Sequence, residues 1–360
     1  MQTAGINPYR YAPASEALAY LRDDEIYPRI NHPEVSTIYP PLAEALFLGC
    51  YALHPGVWTV KIALVGIDLL AAWFLLGLIR VYDQHPGQLL IYLWNPLLVV
   101  EVAGNGHMDI MGVATVVMAL LYLQIGGYGR AAGALALSFL SKFFAICLIP
   151  VFWRWMCARR GNAGGWRVRL QAMVRPGKAW PVLVFPAVVL LGYLPYAGAG
   201  AGLFKGLLTY AEHWEFNAPV FGLLKAVLGS GVAARIAVGV LFGSAVLALT
   251  LGWMPPIQAA YLLTGLFLWL TPTLHPWYCV WMLPFLVFYR SPAWLTFTGL
   301  VVLSYHVLIR YQAEGVWEEA AWVKGVEYGG FVAVWVGTRI WRRIRVRTRP
   351  LCGGAWTKKS

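Results

Sequence analysis

Eleven apolar segments can be read between charge or Pro/Gly breaks, at roughly 38–53, 58–80, 89–104, 108–124, 131–153, 181–197, 234–253, 256–272, 277–289, 293–309 and 326–341. A membrane span takes about 20 mainly apolar residues. Ten or eleven spans therefore consume about 200 to 220 positions, and a chain of 360 residues that is 59% hydrophobic can supply them. Its 12% charged content is half the roughly 25% of a soluble domain. A soluble enzyme, a nucleic-acid-binding domain and a disulfide scaffold are excluded on this arithmetic. The predicted fold class is all-α, a polytopic transmembrane helical bundle of about 10–11 membrane segments. Several segments are under 18 residues, which predicts short, tilted or re-entrant elements among them.

Charge placement orients the bundle. The net charge is +12, but Arg154–Lys178 holds seven basic residues and no acid, and Arg339–Lys359 holds eight and no acid. The rest of the chain has 13 basic against 16 acidic residues, a balance of −3. Two basic clusters flanking apolar segments follow the positive-inside rule, with anionic lipid headgroups as partner and no nucleic acid. Alternating through the segments puts the N-terminus outside and the C-terminus in the cytoplasm. Met1–Thr37, the loop 198–233 with an interfacial helix, and Arg310–Lys324 with Glu314, Glu318 and Glu319 then lie outside. The five cysteines are scattered, with no C-x-x-C spacing, and no cleavable signal precedes the first apolar run at Ile38. An acidic leading tail that crosses without a span of its own predicts a missing preceding span.

Three clusters carry candidate chemistry. The first is Gly5-Ile6-Asn7-Pro8-Tyr9, with Ile38-Tyr39-Pro40-Pro41-Leu42 opening the first apolar segment; the prolines suit a first helical turn. The second is Trp94-Asn95-Pro96 followed by Glu101-Val102-Ala103-Gly104-Asn105-Gly106-His107-Met108-Asp109. An acid inside apolar sequence faces a cavity or a partner, and broken backbone at depth must line protein or water. Either a cytoplasmic hairpin or a re-entrant element gives the same parity; Glu101, ahead of the turn, favours the re-entrant one. The third is Thr271-Pro272-Thr273-Leu274-His275-Pro276-Trp277-Tyr278, suited to a sugar, a phosphate or a metal, or else to an interfacial anchor. Asp68 and Lys142 are further intramembrane charges that either pair with one another or bind a lipid phosphate. Glu212, His213 and Glu215 do not match a metal-ligand spacing, and no phosphate-binding glycine loop or nucleophile elbow appears.

Taken in order, G-I-N-P-Y, I-Y-P-P-L, Asp68, W-N-P-L, E-V-A-G-N-G-H-M-D, W-E-F-N at Trp214–Asn217 and H-P-W-Y at His275–Tyr278 resemble the GT-C superfamily of integral-membrane glycosyltransferases. The closest likeness is to bacterial polyprenol-phosphate-dependent mannosyltransferases and the glycosyltransferase family 87 group, from Gly5 to about Tyr311. The resemblance implies a GT-C-like domain over 1–345, with 1–37 the remnant of the first outer loop and 346–360 a basic cytoplasmic tail. It implies inverting transfer of a hexose, commonly mannose, from a polyprenyl-phosphate donor to a glycan or glycolipid acceptor at the outer face of a bacterial plasma membrane. An aspartate upstream of the G-x-N-P-Y motif is the family's general base, so the expected catalytic acid and first span lie ahead of Met1. Asn7 and Tyr9 would shape the outer loop around the sugar. Glu101, Asn105, His107 and Asp109 would line the cavity, and His275 and Tyr278 would contact the donor. No metal ligand set or cofactor is fixed, with room left for a divalent cation. A multi-span transporter or lipid flippase is the alternative, against which stands the lack of two related halves.

Overall fold

The computed structural model describes residues 1–157, 180–252 and 254–347, apart from the side chains of 180, 182 and 345–347. The basic stretch after Cys157, up to residue 179, and the tail from 348 lie outside the described residues. The chain divides into two compact units, Met1–Tyr289 and Arg290–Ser360.

From Pro41 on, the described residues of the first unit run through twelve helical segments. They are α1 (Pro41–Leu53), α2 (Val57–Val81), α3 (Pro86–Leu93), α4 (Pro96–Gly104), α5 (Asp109–Gln124), α6 (Tyr128–Ser141), α7 (Phe143–Cys157), α8 (Leu183–His213), α9 (Pro219–Leu228), α10 (Gly231–Leu251), α11 (Pro256–Leu270) and α12 (Pro276–Tyr289). Proline supplies the first residue of α1, α3, α4, α9, α11 and α12, where its missing N–H costs nothing and its fixed φ already suits a helix. Asn95 adds a side-chain cap on the Leu97 N–H at 3.1 Å, and Ser230 caps the Ala233 N–H at 3.3 Å.

Packing follows residue size. The middle of the unit is α5, apolar all round and buried along most of its length. It lies between α2 and α6, and α6 in turn meets the first half of α8. The buried alanines of α6, at 131, 132, 134 and 136, let those backbones approach closely, as small residues do between helices in lipid. Away from this core, α8 and α10 bury almost no residue fully yet are rich in Leu, Val and Ile. Long apolar faces of this kind require an apolar solvent. Among the described residues four helices are long and apolar enough to cross a membrane, α2, α8, α10 and Pro292–Glu314, and a fifth span arises if α3 and α4 count as one.

Several sequence-based segments are redrawn. The segment 131–153 breaks at Lys142, whose φ of −155° and ψ of 132° end α6 in extended backbone. The segment 181–197 continues to His213, bending at Gly200, so most of the loop 198–233 is helical. Arg154, expected among headgroup-facing cations, is fully buried. It donates to the carbonyls of Leu249 at 3.5 Å and Thr250 at 3.2 Å, in the last turn of α10 where a helix leaves acceptors open, and to that of Met254 just beyond it.

The second unit contains α13 (Pro292–Glu314) and α14 (Ala321–Arg347). Trp294 and Phe297 of α13 meet Phe331 and Tyr328 of α14 edge to face. Between them Arg310 pairs with Glu314 and Glu318, and Lys324 with Glu319.

Replacing Arg154 with Ala leaves buried carbonyls unpaired at about 1–3 kcal/mol each. The expected outcome is a clearly lower melting midpoint in detergent, with Lys restoring only part of it because an ammonium lacks the guanidinium fork. An unchanged midpoint would remove Arg154 as the cap of α10.

Candidate functional site

The site begins where α4 widens. From Val99 to Gly104 the helix is of the π type, a form concentrated at functional sites. It then turns through Gly106, whose φ of +75° favours glycine, and restarts as α5 at Asp109. The wide turn points Glu101 inward, 0% exposed. Asn105 Nδ2 donates to Glu101 Oε2 at 3.1 Å, and His107 Nε2 stands 3.5 Å from the same oxygen. Burial pushes the His107 imidazole down to about 4, so near neutral pH the ring in this contact is neutral.

Asp109, in the first turn of α5 and 2% exposed, has both oxygens engaged. Lys142 Nζ lies 2.9 Å from Oδ2, and the indole N–H of Trp281 donates to Oδ1 at 2.9 Å. Two local features permit this. The extended residue that ends α6 carries Lys142 across to α5. Gly112, one turn beyond Asp109, leaves space that the Trp281 ring fills; a Cβ there would collide with it.

Aromatic rings surround the ammonium. Lys142 Nζ is 5.1 Å from the Tyr278 ring centre and 5.9 Å from that of Tyr39, within cation–π range. The Tyr278 hydroxyl meets that of Tyr210 at 2.8 Å. Tyr39 also joins the leading segment to the site, because the Tyr9 hydroxyl donates to its carbonyl at 2.7 Å. Asn7 braces that segment twice: its Oδ1 accepts from the Tyr9 N–H and its Nδ2 donates to the Tyr196 carbonyl, both at 3.0 Å. Beside them the buried carboxylate of Glu44 accepts from Thr37 at 2.5 Å and Gln2 at 2.8 Å.

A column of four rings closes the other side. Phe216 lies 4.9 Å from His275, His275 4.2 Å from Trp277 and Trp277 3.8 Å from His107, all near parallel. The Phe216 N–H donates to the Pro272 carbonyl at 3.0 Å and the Leu274 N–H to the Phe216 carbonyl at 2.8 Å, so the strip 214–217 is zipped to 271–275. Burial pushes His275 down to about 3.

The structure thus gathers Glu101, Asn105, His107, Asp109, His275 and Tyr278 around one region, with Asn7 and Tyr9 attached through Tyr39. Asp68 is not part of it. Of the two alternatives read for Asp68 and Lys142, pairing with one another is not formed: Tyr92 donates to Asp68 at 2.6 Å and Lys142 is held by Asp109. Glu215 is spent on Lys225 at 2.7 Å and Arg235 at 3.3 Å. Among the described residues no group of three His, Cys, Asp or Glu is arranged to hold a metal ion. Sequence reading missed Tyr210 and Trp281 and gave Tyr39 and Trp277 no site role. Trp281 follows Trp277 by one helical turn and Gly112 follows Asp109 by one, a paired signal that was present.

This geometry has two testable effects. Gly112→Ala should expel the Trp281 ring, release Asp109 Oδ1 and destabilise the fold by about 1–3 kcal/mol; an unshifted melting midpoint would contradict the packing. The second concerns pH. Both histidines titrate below their ordinary 6.5, so between about 6.5 and 4 the unfolded chain binds protons that the folded chain refuses. Stability should fall as pH drops through that window. His275→Phe should flatten that limb in a melting series across pH 4 to 7, and a limb of unchanged slope would contradict it.

No family model, curated protein or solved structure matches the chain, so its chemistry is to be read from these residues.

Proposed function

We propose that this chain is a membrane hexosyltransferase of the GT-C type. It moves a hexose, most simply mannose, from a polyprenyl-phosphate donor to a glycan or glycolipid acceptor on the extracytoplasmic side of a bacterial plasma membrane. The N-terminus lies outside and the C-terminus in the cytoplasm in this reading, as the two basic clusters favour.

The observation that carries the proposal is the Lys142 ammonium, fixed by Asp109 and walled by Tyr39 and Tyr278. In transfer from a polyprenyl phosphate, negative charge grows on the departing lipid phosphate, and a pre-placed cation stabilises that charge more than it stabilises the bound donor. Lys142 takes this role. Asp109 is a positioning residue: with one oxygen on Lys142 and the other on Trp281, it aims the ammonium and holds no oxygen free for the acceptor. Tyr39, Tyr278 and Trp277 offer ring surfaces to the C–H faces of a sugar. The neutral rings of His107 and His275 each carry one donor and one acceptor nitrogen, suited to hydroxyl groups. The resemblance assigns the general base to a segment ahead of Gly5, and the residues of this unit take binding and positioning roles.

Transfer of labelled hexose in proteoliposomes supplied with donor and acceptor tests the reading. Lys142→Met should lower kcat by about 100-fold or more, the scale of losing one electrostatic stabiliser. Asp109→Asn should lower it less while keeping the donor KM near its original value. Undiminished transfer by Lys142→Met removes the site. A competing transporter or flippase reading draws on Asp68, paired with Tyr92 beside the 52° bend between α3 and α4; lipid translocation without transfer would favour it.

A further inference from the structure

Outside the ring of residues described above lies one cation that the proposed chemistry does not use. Lys61 sits in the second turn of α2, half-buried. Its stem lies against the Gly106 turn: a Cβ on Gly106 would stand 3.4 Å from Lys61 Cγ and 3.8 Å from Cε. That same turn carries Asn105 and His107. Lysines near span ends commonly extend to the interface. Here the stem is packed onto the turn beside the buried Glu101.

The charge of Lys61 is uncompensated. Its neighbour is the Trp58 ring, 5.4 Å from Nζ, and among the described residues no carboxylate lies within ion-pair distance of it. Glu101 is enclosed and already shared by Asn105 and His107, so the charge presented at this edge is positive. Around it the surface is apolar. Trp58 is 76% and Ile62 71% exposed on α2, and Val99 and Val100 are exposed on the π turn that α2 packs against. A cation in the second turn of an apolar helix of span length, with Arg80 at the opposite end, fits a ligand with one anionic head and a long hydrocarbon tail.

We infer that Lys61 is a lipid-phosphate site, where a polyprenyl phosphate arriving sideways from the bilayer docks its head before reaching Lys142. The tail would run along the exposed side of α2, with Trp58 at the level of the head. The inference rests on the hexosyltransferase reading for the identity of the lipid and adds the residue that admits it.

Binding is measured without acceptor, on the whole chain in phosphatidylcholine nanodiscs, with a short-chain polyprenyl phosphate as probe. Lys61→Gln should weaken binding about tenfold or more, and Lys61→Arg should stay within about threefold, since either cation serves a phosphate. The melting midpoints of both variants should match the original chain, which separates binding from folding. Equal binding by Lys61→Gln overturns the inference. So does competition by inorganic phosphate, which would mark a site for a soluble anion, or competition by phosphatidylglycerol at equal mole fraction, which would mark a site for any anionic lipid. Failure of the wider reading looks different: the original chain binds the polyprenyl phosphate through Lys61 and transfers no hexose.

Discussion

The ion pair between Asp109 and Lys142 is the interaction on which the rest of the first unit turns. Two opposite charges withdrawn from water are costly unless their remaining valences are filled. Trp281 fills the second oxygen of Asp109, and the rings of Tyr39 and Tyr278 take up the cation. To bring those groups together, α6 must stop one residue before Lys142, α5 must start at Asp109 and carry glycine one turn later, and α12 must open with its tryptophans one turn apart. The breaks in the helices are therefore the means by which distant stretches of chain deliver polar groups to one point. Removing Lys142 alone would leave the buried Asp109 without its cation, which is why the pair holds its neighbours in place as firmly as it holds itself.

A second constraint comes from the solvent. The outer helices show leucine, valine and isoleucine to their surroundings, so apolar burial cannot tell inside from outside along them, as it does for a water-soluble protein. What distinguishes the inner face is small residues, ring–ring contacts and satisfied polar groups. The α5–α6 contact uses alanines, and Ser138 donates to the Gly112 carbonyl at 2.8 Å. The four-ring column uses flat surfaces that exclude water without needing aliphatic bulk.

This difference explains how much of the fold and the site the chain displays in its sequence. Helical class and the approximate position of most apolar segments were legible, because a run of apolar residues ending at proline or charge is a local signal. The grouping of His107, Asp109 and His275 was legible as a set of motifs, though not as a geometry. The partners of the charges were not. Asp68 and Lys142 looked alike in sequence, two ions in apolar surroundings, and only the fold separates one beside a tyrosine from one beside an aspartate. Arg154 misled for a related reason: composition counts a cation near a basic cluster as surface charge, whereas the end of α10, nearly a hundred residues later, supplies the carbonyls that bury it. Tyr210 and Trp281 carry no charge, and rings in an aromatic-rich chain do not announce which of them meet.

The π turn at Val99–Gly104 has a consequence for how this chain can vary. A wide turn holds one residue more than an ordinary one, so its register depends on length as well as on identity. Deleting one apolar residue there would let the helix relax to regular winding and shift the remaining residues of the turn by one position against those that flank it. Glu101 and the Asn105–His107 turn would then lose their common orientation although every side chain was still present. The segment should therefore accept exchanges of one apolar residue for another more readily than a change of one in their number.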